Sequence, residues 1–195
     1  MQDTSPQLQR FYHSRLRLQK LDLPASDAEL RDLWQNCQRP VPLLYFIEPM
    51  LTRQQLVLAT AFCVRYWLGE DLNYLPEGQA ALAVAEAWAH SQASLADADQ
   101  ACEAAMERME LEDQIVESTD DQSLRQAANL RSEQAYACAS VAHLVNAGDP
   151  GEDLDKALLN AREDYWAYTD AEMTATLRQY LPCPELTKVK RFYFS

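Results

Sequence analysis

Residues 51–68, LTRQQLVLATAFCVRYWL, decide the fold. Thr52-Arg53-Gln54-Gln55 is a capping box, in which a threonine hydroxyl and a glutamine side chain satisfy backbone N–H groups at a helix start. Leu56, Ala59, Phe62, Cys63 and Trp67 then recur at helical spacing, and the segment is apolar nearly all the way round. A helix of that kind has no face to offer water, so it belongs at the centre of a structure, with other helices covering it. Gly69 supplies its C-terminal stop.

The flanking sequence supplies those helices. On the N-terminal side, Pro40 to Ile47 (PVPLLYFI) is the most apolar piece of the chain, and its prolines predict a short buried helix entered through extended backbone. Ser26-Asp27-Ala28-Glu29 is a second capping box, followed by Leu30, Leu33, Trp34 and Cys37 until Arg39-Pro40 ends the run. Ser5-Pro6 opens a further segment with Leu8, Phe11, Leu18 and Leu21 that stops before Pro24. On the C-terminal side, Pro76 begins a helix containing Ala80, Ala83, Ala87 and Trp88. Ser94 and Asp121 begin two longer ones, the second running to Gly148, and Asp149-Pro150 begins another that passes through Ala157, Ala161 and Tyr165.

Strand punctuation is nearly absent, with four glycines and no Asn-Gly or Asp-Gly turn. The expectation is an all-α, irregular single-domain bundle of about seven or eight helices. Stacked helical hairpins are the alternative, although no tetratricopeptide or ankyrin period recurs. At 195 residues the chain can bury about 70% of its unfolded surface in one core. Residues 1–40 read as N-terminal helices, 41–181 as the main bundle and 182–195 as an aromatic, basic tail.

Charge is distributed unevenly. Residues 68–170 carry 22 Asp and Glu against 5 Lys and Arg, a net of −17 in a chain whose total is −13. Such a surface attracts cationic partners and repels nucleic acid. The five cysteines are widely spaced, odd in number and free of any CxxC pair, which indicates a reducing compartment and neither a disulfide framework nor a zinc site. The first residues lack a signal-peptide core, and the longest charge-free stretches are too short to span a bilayer. The expectation is a cytoplasmic protein without membrane contact.

The acidity is most ordered on the helix from Ser94 to about Glu117. Asp99, Glu103, Glu107, Glu110, Asp113 and Glu117 fall within about a third of its circumference, while Ala98, Cys102, Ala105, Met109 and Val116 form the adjoining face. Arg108 is the one basic residue inside the stripe, so repulsion at i,i+4 is largely uncompensated, at a few tenths of a kcal/mol per pair. Asp120 and Asp121 continue the sign, followed by Asp149, Glu152, Asp153 and Asp155. An ordinary solvated face is the plain reading. A docking surface for a cationic protein is the sharper one, with Tyr165, Trp166 and Tyr168 spread over about 160° of the next helix so that one ring, Trp166 above all, can anchor a partner.

Catalytic and metal signatures are sparse. Glu86 and His90 share a helix face but have no companion pair, so no metal or cofactor is expected. His143 reads as a hydrogen-bonded, buried or partly buried histidine, His13 as a surface residue and Cys63 as core packing. There is no Gly-rich phosphate loop, GxSxG elbow or zincin motif, and no enzymatic activity is expected.

Three segments carry a family resemblance. Leu43 to Leu68, with its paired leucines and the helix quoted above, resembles the opening helices of all-α immunity proteins from bacterial polymorphic toxin systems. Pro76 to Ala89 (PEGQAALAVAEAWA) is similar to that family's proline-started helix ending in an Ala-Trp pair, and Arg131 to Leu144 (RSEQAYACASVAHL) to its alanine-rich helix. The resemblance covers residues 43–147 and implies a binding protein that neutralises a cognate toxin inside the producing cell. A helical adaptor or chaperone for a secreted effector, and a helical metal-binding enzyme, are the other classes compatible with the residues.

Overall fold

The computed structural model describes residues 26–163, 165, 168–181 and 183. Eight α-helices occur among them: α1 (Asp27–Asn36), α2 (Pro40–Ile47), α3 (Arg53–Leu68), α4 (Pro76–Ala89), α5 (Leu95–Ser118), α6 (Gln122–His143), α7 (Pro150–Ala161) and α8 (Ala171–Tyr180). Two 3-10 turns, Glu48–Met50 and Gly69–Tyr74, flank α3, and no strand is present among the described residues. The segment opened by Ser5-Pro6 and, apart from Cys183, the aromatic, basic tail expected at 182–195 lie outside them.

α3 is the central element the sequence requires. Leu56, Val57, Ala59, Thr60, Ala61, Cys63, Val64 and Leu68 are buried along it, and it packs against α4, α6, α7 and α8. Thr52 accepts the N–H of Gln55, whose side chain accepts the N–H of Thr52, completing the capping box. Gly69 ends the helix at φ +50, a left-handed conformation that glycine adopts without steric cost. Pro40 enters α2 from extended backbone at Arg39, and Val41, Leu43, Leu44, Tyr45 and Ile47 are buried beneath it.

α5 and α6 form the longest antiparallel pair, joined through Thr119 to Asp121. Their facing positions are small, with Ala98 and Ala105 on α5 and Ala128 and Ala135 on α6 fully buried, which lets the two backbones approach closely. The base of this hairpin is covered by α4 and α7. At the opposite end of the chain, Asp170 caps α8 through the N–H of Met173, its own N–H donates to the Gln38 carbonyl at 2.7 Å, and the Arg178 guanidinium donates to the carbonyls of Trp34 and Cys37. These bonds tie α8 to the carbonyls that α1 leaves free.

Two boundaries differ from expectation. α6 stops at His143, five residues before Gly148, because the chain tightens into turns at Leu144, Val145 and Asn146. The guanidinium of Arg53 donates to the freed carbonyls of Leu144 and Ala147, at 2.7 and 3.0 Å. α7 stops at Ala161, so Tyr165 and Tyr168 lie beyond the helix. Arg162 takes an extended conformation and its guanidinium sits 3.9 Å over the Tyr168 ring, while the Tyr168 hydroxyl donates to Asp170.

Candidate functional site

The acidic face is built on α5. Ser94 accepts the N–H of Asp97 and Asp97 accepts the N–H of Ser94, fixing the start of the helix. Asp121 accepts the N–H groups of Ser123 and Leu124 and fixes the start of α6. Asp99, Glu103, Glu107, Glu110, Asp113, Glu117, Asp120 and Asp121 are all exposed. Asp113 accepts the Ser132 hydroxyl at 2.6 Å and Asp121 is occupied in its cap. Among the described residues, no basic side chain pairs with Asp99, Glu103, Glu107, Glu110 or Glu117. The stripe therefore keeps its repulsion internally unrelieved, and its charge is available to something outside the molecule. Trp166 lies outside the described residues; Tyr165 and Tyr168 are half-buried against the core and Tyr66 is the more exposed ring beside them.

Arg108 does not serve the stripe. Its guanidinium turns inward to Glu112, a residue absent from the sequence-derived set, which is 1% exposed. Arg131 from α6 completes the triad, donating to both oxygens of Glu112 at 3.0 and 2.8 Å. Burial disfavours the Glu112 carboxylate, but the hydrogen bond and charge of Arg131, with those of Arg108, outweigh it and hold the carboxyl below its ordinary value. The triad sets the register of the hairpin beside the Ser132–Asp113 bond. Its signal was present in the sequence: Ala98, Ala105 and Glu112 are spaced by seven, which places Glu112 on the buried stripe and not among the exposed carboxylates.

A second polar cluster lines a cavity of about 250 Å³ between α5, α6 and α7, including Cys102, Tyr136, Ser140, His143, Asp153 and Lys156. His143 is exposed, contrary to the expected burial, because α6 ends there, and its Nδ1 lies 3.0 Å from Asp153 Oδ2. A Cys-His-Asp set invites comparison with a nucleophilic triad. The chemistry runs the other way, since burial and the charges of Asp153, Asp99 and Glu103 push the Cys102 thiol up to about 11, away from the thiolate a nucleophile needs. Cys63 and Cys138 are likewise raised by burial, Cys138 to about 12. Cys37, Cys63, Cys102 and Cys138 are in no disulfide.

Glu86 forms a two-point ion pair with Arg65, at 2.8 and 3.0 Å, on the rim of a cavity of about 460 Å³ that also reaches His90. Its carboxylate is thus committed to a guanidinium. Among the described residues no group of three or more His, Cys, Asp and Glu side chains could hold a metal ion, and no helix is long and apolar enough to cross a membrane. No known family model, curated protein or solved structure matches this chain with significance.

Proposed function

We propose that this chain is a cytoplasmic immunity protein, which binds a cognate cationic toxin domain through the acidic face of α5 and neutralises it without chemistry of its own. The observation that carries the reading is the row Asp99, Glu103, Glu107, Glu110 and Glu117, exposed and without an ion-pair partner among the described residues, on a helix whose start is fixed by the Ser94–Asp97 capping box. Such a row costs helix stability in the free protein and loses that cost when a basic surface covers it. Long-range attraction would raise the association rate toward about 10⁸–10⁹ M⁻¹s⁻¹ at low salt, and fast capture is what protects a cell from its own toxin. The all-α scaffold and the sequence resemblance of residues 43–147 agree with this role.

The experiment is co-expression. The C-terminal domain of any secreted protein found encoded beside this chain should arrest growth alone and be harmless when this chain is present. Combined Glu103→Lys, Glu107→Lys and Glu110→Lys changes should abolish rescue while leaving the helical circular-dichroism signal intact. A domain that binds tightly but is harmless by itself would make the chain an escort for a secreted effector, and rescue that survives the triple reversal would remove α5 as the docking face.

A further inference from the structure

The α5–α6 hairpin carries an uncovered groove beside the acidic row. α4 packs on the hairpin beside Gly69–Tyr74, where Asp71 accepts from Gln134, and large apolar side chains next to this contact and toward the Thr119–Asp121 turn stay exposed. There Tyr74 is 72% exposed, Leu111 54%, Leu130 50% and Leu124 45%, four large apolar side chains that the bundle leaves to water. Tyr74, Ala127, Leu130, Arg108, Arg131 and Asp71 line a cavity of about 450 Å³. Leu111 stands one turn beyond Arg108 on α5 and Leu124 one turn before Ala127 on α6, so both extend the groove's apolar wall toward the tip. Grouped exposure of this kind, unlike leucines scattered singly, marks an interaction site.

Charge decides what fits. Both guanidiniums in the groove donate to Glu112, and Asp71, a further carboxylate on its wall, accepts from the neutral amide of Gln134 at 3.1 Å. Further carboxylates run along its α5 edge without an ion-pair partner among the described residues: Glu107 is four residues before Leu111, hence its neighbour on the helix surface, and Glu103 and Glu110 follow round the helix. An acidic segment would be repelled there. A second copy of the chain, net −13, would bring two such rows together.

We propose that the groove seats a basic amphipathic helix of the partner, apolar face down on Leu111, Leu124, Leu130 and Tyr74, with its basic side chains over Glu103, Glu107 and Glu110. This rests on the docking assignment above and specifies which part of the partner makes the contact, by the helix-in-groove mode of recognition. The buried Glu112 triad beneath gives the seat a rigid floor.

A fourteen-residue Leu–Lys peptide that forms an amphipathic helix is the probe, titrated into the full chain and followed by calorimetry and methyl NMR. The expected result is saturable one-to-one binding that shifts the methyls of Leu111, Leu124 and Leu130. Those of Leu95 and Leu159, which are 48% and 49% exposed elsewhere on the surface, should stay in place. Leu111→Asp with Leu130→Asp should weaken binding at least about tenfold, and Leu95→Asp with Leu159→Asp less than about twofold. Equal binding of a scrambled peptide whose leucines share no face, equal binding of a Leu–Glu peptide, or self-association of the chain through these methyls would each overturn the proposal. Toxin rescue unaffected by the Leu111 and Leu130 changes would refute the groove and leave the acidic docking face standing. Peptide binding at these methyls without any toxin rescue would refute the immunity role and leave the groove.

Discussion

Replacing Glu112 by Gln should be among the most damaging single changes on the hairpin. The amide keeps the volume and an acceptor but removes the charge that two guanidiniums share. Breaking one partner out of a buried ion pair costs about 3–5 kcal/mol, because the remaining charge is left uncompensated. Arg108 and Arg131 are 29% and 28% exposed, so water recovers part of that loss, and about 2–3 kcal/mol is the expected cost. At roughly 2–4 °C per kcal/mol for a chain of this size, Tm should fall by about 5–10 °C. Urea unfolding followed by tryptophan fluorescence is the assay, with a lowered midpoint at unchanged m. The pH dependence fixes the cause. Because the Glu112 carboxyl is held below its ordinary 4.5, its contribution is complete above that value and lost as pH falls through the lower folded pKa, so the gap between wild type and variant should close in acid. A cost under about 0.5 kcal/mol at neutral pH, or a gap that persists in acid, would refute the reasoning.

Other perturbations probe the packing around the site. A Cβ on Gly78 would lie 3.1 Å from Cys138 Sγ and 3.3 Å from Cys138 Cβ, so Gly78→Ala should cost about 1 kcal/mol despite alanine's better helix propensity, and the loss should shrink but not vanish in a Cys138→Ala background, which keeps the Cβ, by double-mutant cycle. Arg53→Met strips the donors from the buried Leu144 and Ala147 carbonyls and should cost about 1–3 kcal/mol, with faster amide exchange at the end of α6 as the local readout. Burial holds the Asp153 carboxyl above its ordinary value against the lowering influence of His143 and Lys156, so its charging increasingly opposes folding as pH rises through the folded pKa. Asp153→Asn should therefore gain stability relative to wild type as pH rises above the ordinary aspartate value of 3.8, with the gain levelling off above the folded pKa, measured by thermal unfolding across a pH series.

The helices were legible where the signal is local. Thr52 with Gln55, Ser94, Asp121, Pro76 and Asp149-Pro150 each mark a boundary through a side chain or ring acting within one turn, and the structure has a helix starting at every one. The end of α6 was misplaced because the chain turns at Leu144 to Asn146 and not at Gly148, and the Leu144 and Ala147 carbonyls this leaves are taken up by Arg53, more than ninety residues away. Charge alone also hid the difference between Glu112 and its neighbours: composition counts a carboxylate, whereas the seven-residue spacing from Ala98 and Ala105 decides that it points inward. The Cys102, His143 and Asp153 cluster comes from three helices, so no spacing in the chain foretells it. The groove beside the stripe is equally non-local, since exposure of Leu111, Leu124 and Leu130 depends on where α4 ceases to cover the hairpin.

In the proposed role, the exposed carboxylates of α5 capture a basic toxin domain. The most direct test of that role is the association rate of this chain with that domain, measured by stopped flow across a series of salt concentrations. The account predicts a fast rate that falls steeply with salt. In the Glu103→Lys, Glu107→Lys, Glu110→Lys chain it predicts a rate at least about tenfold lower at low salt, with the salt slope flattened or reversed. The same rate and the same slope in both chains would contradict it.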